Sequence, residues 1–475
     1  MTFPLNKTKI VATIGPASDS PEVLRQLVLA GMNVVRLNFS HGDFSGHAGT
    51  IARVRSAAEA GGRRVAVMAD LPGPKMRIGK FAEEPVQLSP GETFTLTTEE
   101  IIGTRQRVTV RFPQLPASVR PGDRLFLNDG YIELAVVRIE GTDVVCRVQV
   151  GGELRSRKGV NLPGIDLGIS AFTEHDRKCL EFALQHGVDA VSQSFVDRAS
   201  DIAAVRAAAA ELGYHPVVIA KIERSGALKR IDEIMDAADG IMVARGDLGV
   251  EIPIEEMAVV QKRLMRLANL KCKPVITATQ MLESMITNRL PTRAEATDVA
   301  NAILDGTDAV MLSGESAVGR DPVAAVAMLA KIAAATEPHR SVFSQQRAGE
   351  VVTCDDGICA EELIAASVEA TTRRITPATV VVPTHSGRTA RSIARFRLPV
   401  WITAVSSEEK TCQHLLFSYG VFPVCEKDHP DRWRDWCRRW CDRQQLTGRY
   451  ILLTEGPSRK HPERNNRMEI IDLKS

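Results

Sequence analysis

The sequence predicts an α/β protein built on a (β/α)8 TIM barrel. Short runs rich in Val and Ile recur along the first two thirds of the chain, and amphipathic stretches separate most of them. The runs number eight, and polar or charged residues gather where they end. Strands that open on one barrel mouth produce that pattern.

The candidate strands are Lys9–Ile14, Asn33–Asn38, Val65–Asp70, Asp189–Ser194, Val217–Ile222, Gly240–Ala244, Pro274–Ala278 and Ala309–Leu312. Helical periodicity marks Pro21–Ala30, Thr173–His186, Ala199–Leu212, Glu255–Asn269, Arg293–Leu304 and Val323–Thr336. A doubly wound open sheet is the alternative architecture for the same alternation. After the third strand the rhythm changes to period-two patterns at Glu92–Thr97, Arg107–Val110 and Leu125–Leu127. Turn dipeptides punctuate them, including Pro90-Gly91, Pro121-Gly122 and Asp129-Gly130. This reads as an all-β domain over 74–161 inserted in a barrel loop, with the barrel formed by 1–73 and 162–335. Beyond residue 336 strands and helices alternate again, from helix Glu361–Arg374 to strand Met468–Ile471, as a separate α/β domain over 336–475.

A chain of 475 residues has room for about three domains. With 44% hydrophobic and 25% charged residues it is a globular chain, not a disordered one. A net charge of +2 gives no bulk attraction to nucleic acid or an anionic membrane. No apolar run reaches the length of a membrane span, and the first residues lack a signal peptide's apolar stretch. The nine cysteines form no CxxC pair, and Cys437 and Cys441 read as helix-face thiols. A cytoplasmic chain is expected.

The strand ends carry the chemistry. The second gives Arg36, Asn38, Ser40 and His41, and the third Asp70, Lys75 and Arg77. The fourth gives Ser194, the fifth Lys221 and Glu223, and the sixth Ala244, Arg245, Gly246 and Asp247. The seventh gives Thr277 and Thr279, the eighth Ser313 and Glu315. Alternation puts Lys221 and Glu223 on one face of their strand, where unpaired charge is expensive. The pair is either a buried ion pair or a cation beside a metal-binding carboxylate. Asp247 lies one strand on, so Glu223 and Asp247 could share a divalent ion. Two carboxylates completed by water or substrate oxygens suit Mg²⁺. Gly246 lets a ligand approach the backbone, and N–H groups at a helix start near Asp247 suit a carboxylate. Arg36, Arg77 and Lys158 are candidate phosphate ligands. Thr279 and Ser313 could position water or substrate.

These residues stand in segments that resemble pyruvate kinases. The matching stretches include Asn33-Val-Val-Arg-Leu-Asn-Phe-Ser-His-Gly42, Asp70-Leu-Pro-Gly-Pro-Lys-Met-Arg77 and Lys158-Gly-Val-Asn-Leu-Pro-Gly164. Lys221-Ile-Glu223, Met242-Val-Ala-Arg-Gly-Asp-Leu-Gly-Val-Glu-Ile252, Ile276-Thr-Ala-Thr-Gln-Met-Leu-Glu-Ser-Met285, Pro291-Thr-Arg-Ala-Glu295, Asp298-Val-Ala-Asn301 and Met311-Leu-Ser-Gly-Glu315 follow in order. The resemblance implies phosphoryl transfer from phosphoenolpyruvate to ADP, giving pyruvate and ATP. It implies Glu223 and Asp247 as ligands of Mg²⁺ or Mn²⁺, and Lys221 as the stabiliser of the phosphoryl group in flight. Ala244, Arg245, Gly246, Asp247 and Thr279 would hold the substrate. Arg36, Asn38, His41, Arg77 and Lys158 would face the nucleotide. Thr279 and Ser313 would serve the proton relay to the enolate. A homotetramer is implied by the resemblance alone.

The sequence departs from the family pattern at three places. Lys75 stands where many relatives have Glu. Those relatives hold potassium at positions matching Asn38, Ser40, Asp70 and the Leu71 carbonyl. An ammonium at Lys75 could supply that charge, so potassium is expected to be dispensable. Gly226 stands where many relatives have Glu, which puts the contacts of that loop in doubt but not the metal ligands. In the C-terminal domain, Thr384, Ser386, Gly387, Arg388 and Thr389 suit the phosphate of an activating effector, a sugar phosphate or nucleotide. The later loop Glu455–Asn466 is basic and lacks the usual Gly-rich form. Two other functional classes compete. An Mg²⁺-dependent enolate lyase or aldolase would need neither the inserted domain nor Lys158. A non-catalytic sugar-phosphate-binding scaffold would need broken chemistry, yet Lys221, Glu223, Asp247 and Thr279 are present.

Overall fold

The computed structural model describes residues 3–165, 168–340, 353–354, 357–358, 360–428, 430, 432–456 and 465–474. Eight parallel strands close on themselves, which excludes the open doubly wound sheet. They are β1 (Lys9–Thr13), β2 (Val34–Asn38), β3 (Ala66–Leu71), β4 (Ala190–Gln193), β5 (Val217–Ile222), β6 (Gly240–Ala244), β7 (Val275–Ala278) and β8 (Ala309–Leu312). Each pairs with the next in sequence, and β8 returns to β1 with Lys9 opposite Ala309.

Burial on both faces explains the unbroken apolar runs. Val11, Val34, Met68, Ile219, Met242 and Ile276 fill the barrel interior. Ile10, Val35, Val67, Val218, Val243 and Val275 pack outward against the helices. The helices begin and end on local signals. Thr173 and Thr292 form capping boxes with Asp176 and Glu295, and Gly31 and Gly306 end their helices in the left-handed conformation. Helix Phe44–Ala60 lies between β2 and β3, where the sequence shows no clear helical stripe. Gly46 and Gly49 dilute its first turns, and its buried face rests on Thr50, Ile51, Val54, Ala57 and Ala58.

Between β3 and the helix Glu174–Gln185 the chain forms a six-stranded sheet around its own apolar cluster. Its long hairpin pairs Ile132–Glu140 with Asp143–Val150. The C-terminal portion forms a five-stranded sheet in the order Val421–Cys425, Ile402–Ser406, Val380–Pro383, Tyr450–Glu455, Arg467–Asp472, of which only the last strand is antiparallel. Cys437 and Cys441 are buried on helix Trp433–Gln444, in an apolar cluster with Trp433, Trp436 and Trp440. No helix among the described residues is long and apolar enough to cross a membrane.

Several contacts join the C-terminal portion to the barrel base, among them an apolar plug and a buried ion pair. Leu416 and Phe417 belong to the apolar cluster that fills the barrel interior. Arg397 reaches Asp308, just before β8, with Nη1–Oδ1 at 2.6 Å and Nη2–Oδ2 at 2.7 Å. Asp308 also accepts from the backbone of Tyr419 and of Val275. Both side chains are about 95% buried, at 6% and 5% exposure. Removing Arg397 would leave Asp308 buried and unpaired. Arg397→Ala is expected to cost about 3–5 kcal/mol of stability. Urea unfolding followed by tryptophan emission measures it, since all four tryptophans lie beyond residue 400. A loss under about 1 kcal/mol would contradict this reading of the contact.

Candidate active site

The C-terminal ends of β1 to β5 are tied together by one buried polar network. On β5, Ile219 points into the barrel and Ile222 outward, so Lys221 and the following Glu223 share the inner face. Lys221 Nζ lies 2.8 Å from Glu223 Oε1 and 3.3 Å from Asp70 Oδ1. It donates to Ser194 Oγ at 2.7 Å. Asp70, at the end of β3, accepts from Arg36 Nε at 2.9 Å and Nη2 at 2.5 Å, and from Ser192 Oγ at 2.6 Å. Arg36 donates in turn to Thr13 Oγ1 on β1 at 3.0 Å.

Opposing effects set the charges. Burial pushes the Asp70 carboxyl up, but Lys221 and Arg36 outweigh it and hold the group below the usual carboxylate range. Burial pulls Lys221 down, and Asp70 and Glu223 more than restore it, so the ammonium is firmly charged. Glu223 behaves differently. Burial raises it, Lys221 opposes, and the charge of Asp247 raises it further. Its net shift is upward, although it also accepts from Phe195 N–H at 2.8 Å. Burial is the larger cause of that rise, and the Asp247 charge adds to it, so the two carboxylates lie close enough to feel each other.

That proximity of two carboxylates is the test of fit for a divalent cation. Among the described residues no group of three or more His, Cys, Asp or Glu could hold a metal unaided. The pair Glu223 and Asp247 offers hard oxygen donors and leaves other positions to water and substrate, which suits Mg²⁺. Lys75 Nζ stands 3.9 Å from Asp247 Oδ1, at the edge of ion-pair range. It is turned toward Asp247 and makes no ion pair with Asp70.

A second cluster of charge lies beside the first. Partial burial, then Arg77, Arg36 and Lys75, hold His41 below its ordinary value. These cations converge on one place from β2 and from the segment after β3. Arg77 Nη1 donates to the Arg157 carbonyl at 3.0 Å, and Ile78 N–H to the Lys158 carbonyl, so Lys158 lies beside this segment just before the strand Val160–Asn161 of the inserted sheet. Asn38 Oδ1 accepts from Ser40 N–H, and Phe39 N–H donates to the Asp70 carbonyl, which gathers Asn38, Ser40, Asp70 and the adjoining Leu71.

Across the mouth, β6 ends at Ala244 and helix Arg245–Glu251 begins at once. Gly246 N–H donates to Thr279 Oγ1 at 2.8 Å, which places the backbone cradle against the Thr279 hydroxyl. The Arg245 side chain turns to Asp298, at 2.6 Å. Ser313 ends β8, and its N–H donates to Glu315. Two residues expected at the mouth are structural instead. Thr277 is fully buried and donates to Thr307, because alternation turns it into the wall. Glu315 is fully buried and accepts from the backbone of Leu282 and Ser313.

The C-terminal turn forms at the expected place. Thr384 Oγ1 accepts from Gly387 N–H at 2.9 Å, and Thr411 donates to the His385 carbonyl at 2.7 Å. Gly387 has φ 79°, which favours glycine. Ser386, Arg388 and Thr389 complete the turn into helix Arg388–Ala394. Residues 457–464 of the basic loop lie outside the described residues.

Sequence reasoning missed Ser192 and Asp197. Ser192 could have been found, since it alternates with Ser194 on one strand face. Asp197 could not, because its meaning depends on Gly226. A carbon added to Gly226 would lie 2.0 Å from Asp197 Oδ1. Asp197 itself is held by Arg230 at 2.5 Å. The space that a side chain at 226 would enter is taken here by the Asp197 carboxylate.

Comparison with known proteins agrees with the geometry. The family model "Pyruvate kinase, barrel domain" matches residues 5–326, and "Pyruvate kinase, alpha/beta domain" matches residues 362–471. A pyruvate kinase of Thermococcus litoralis is 49% identical over 426 residues, 90% of each chain. One from Geobacillus stearothermophilus is 45% identical over 88% of this chain and 71% of its own. The human pyruvate kinase PKLR is 43% identical over 90% of this chain and 77% of its own.

The exchange at Gly226 is open to a direct test. Gly226→Ala should displace Asp197 from Arg230 and cost about 1–3 kcal/mol. Adding Asp197→Ala frees the space, so the double variant should be more stable than the two single losses predict. Thermal unfolding reads the coupling, and simple additivity would refute it.

Proposed function

The chain belongs to the pyruvate kinase family and is a phosphotransferase, and from that premise we propose how its residues divide the reaction between phosphoenolpyruvate and ADP. The observation that carries the proposal is the buried Lys221, charged and held among Asp70, Glu223 and Ser194 at the rim of β5. Phosphoryl transfer asks little covalent chemistry of the protein. Positioning and charge stabilisation dominate.

Lys221 presents its ammonium to the phosphoryl group and to the departing enolate oxygen. Its partners fix it in place, so no reorganisation is needed as charge develops. Glu223 and Asp247 would hold Mg²⁺ or Mn²⁺, which supplies Lewis-acid charge to the substrate oxygens when bound. Arg36, oriented by the Asp70 carboxylate, faces the phosphates together with Arg77, Asn38 and His41. Lys158 approaches from the inserted sheet, which excludes water that would otherwise take the phosphoryl group. The N–H groups of helix Arg245–Glu251 receive the substrate carboxylate beside Thr279. Thr279 and Ser313 hold water for protonation of the enolate carbon.

Three finer readings accompany this one. Lys75 stands in for potassium, supported by its ammonium beside Asp247. The turn Thr384–Thr389 takes a phosphorylated effector, a sugar phosphate or nucleotide that activates the enzyme, supported by its hydroxyls and glycine. The active assembly is a cytoplasmic homotetramer, in keeping with the family resemblance.

Pyruvate formation from phosphoenolpyruvate, ADP and Mg²⁺ tests the central reading. Lys221→Met should lower turnover by about three orders of magnitude or more in protein that still folds by circular dichroism. Unchanged turnover would refute the role given to Lys221. In potassium-free buffer the wild-type rate should stay within about twofold of that with the ion, since a fixed cation already occupies the neighbourhood. A rescue by potassium of about tenfold or more would reject the stand-in role of Lys75.

A further inference from the structure

We propose that Arg245 is a positioning residue that sets the affinity for the substrate's carboxylate end by holding Thr279 in place. This deepens the pyruvate kinase reading and rests on it. The chain leaves β7 at Ala278 and immediately enters the left-handed region twice, at Thr279 (φ 66°) and Gln280 (φ 53°). Neither is glycine, so surrounding structure must enforce the bend.

Arg245 supplies that enforcement. Its Nε donates to the Ala278 carbonyl at 3.3 Å. Its Nη2 donates to the Thr279 carbonyl at 2.8 Å and approaches that of Gln280 at 3.4 Å. Three successive carbonyls of the strained bend thus face one guanidinium. Asp298, on helix Arg293–Asp305, anchors its other arm at 2.6 Å. The Arg245 side chain is 11% exposed and committed to these partners, so it does not face the mouth as a substrate ligand.

The geometry couples two halves of one subsite. Arg245 opens the helix whose next N–H, that of Gly246, donates to Thr279 Oγ1. One residue therefore fixes the helix start by its backbone and the Thr279 bend by its side chain. Lysine keeps the charge but cannot reach three carbonyls and a carboxylate as a planar fork. Loss of the fork should loosen the carboxylate subsite and leave the nucleotide cations around His41 undisturbed.

Steady-state kinetics with each substrate varied in turn tests this. Wild-type enzyme must first form pyruvate. Failure there removes the functional reading and is distinct from failure of the proposal. Arg245→Lys should raise KM for phosphoenolpyruvate by about tenfold or more and leave KM for ADP within about twofold. Asp298→Asn, which keeps the guanidinium, should shift the same constant in the same direction by about threefold and guards against misfolding of the first variant. Thr279→Ala should cost far less in kcat/KM on the Arg245→Lys background than on wild type, because Arg245 acts through Thr279. Parallel rises in both KM values would mark a merely structural role and overturn the proposal. So would an unchanged KM for phosphoenolpyruvate, or losses that simply multiply.

Discussion

The contact of Asp70 with Lys221 and Arg36 is the constraint from which the rest of the site follows. Asp70 is buried at the end of β3, which pushes its carboxyl up, and the two cations outweigh that push. With them it stays ionised, orients Arg36 by a two-pronged hydrogen bond, and keeps Lys221 charged despite its burial. Buried pairs of this kind seldom add net stability compared with well-packed apolar residues. Their value here is preorganisation. Two cations stand fixed at the mouth before any ligand arrives.

Charge balance divides the mouth into regions with different needs. Asp70 is flanked by two cations, Lys221 and Arg36. At Glu223 and Asp247 two carboxylates come together, and burial, with the Asp247 charge added, moves Glu223 upward. Around His41 cations gather, and burial followed by Arg77, Arg36 and Lys75 depresses the imidazole. A site that must receive both a divalent cation and several phosphate oxygens needs this contrast over a short distance. The enolate lyase reading does not need the cationic side at all, and a scaffold needs neither side.

The barrel was legible because its strands are buried on both faces and stand out as apolar runs. Their termini could be read one by one, and Lys221, Glu223, Asp70 and Arg36 meet as strand alternation requires. Position at a strand end alone misled at Thr277 and Glu315, polar residues that bond a neighbouring hydroxyl and backbone N–H groups instead of facing the mouth. Helix Phe44–Ala60 was obscured by glycines in its first turns. The exchange between Gly226 and Asp197 joins residues from two loops, and no local pattern announces it. The role of Arg245 was hidden for a similar reason. Besides Asp298 its partners include three main-chain carbonyls, whose positions depend on a bend that no local pattern announces.

The plug at the barrel base reaches beyond packing. Leu416 and Phe417 complete the interior cluster, and the adjoining Leu415 lies against Gly387, with its Cδ2 3.0 Å from where a first side-chain carbon at that glycine would stand. Three consecutive residues thus serve as floor for one sheet and as bedding for the turn of another. Excising the C-terminal portion would not liberate a self-sufficient cylinder; it would flood its underside with solvent. A chimera that grafts a foreign C-terminal module onto this scaffold has to import a matching stopper along with it.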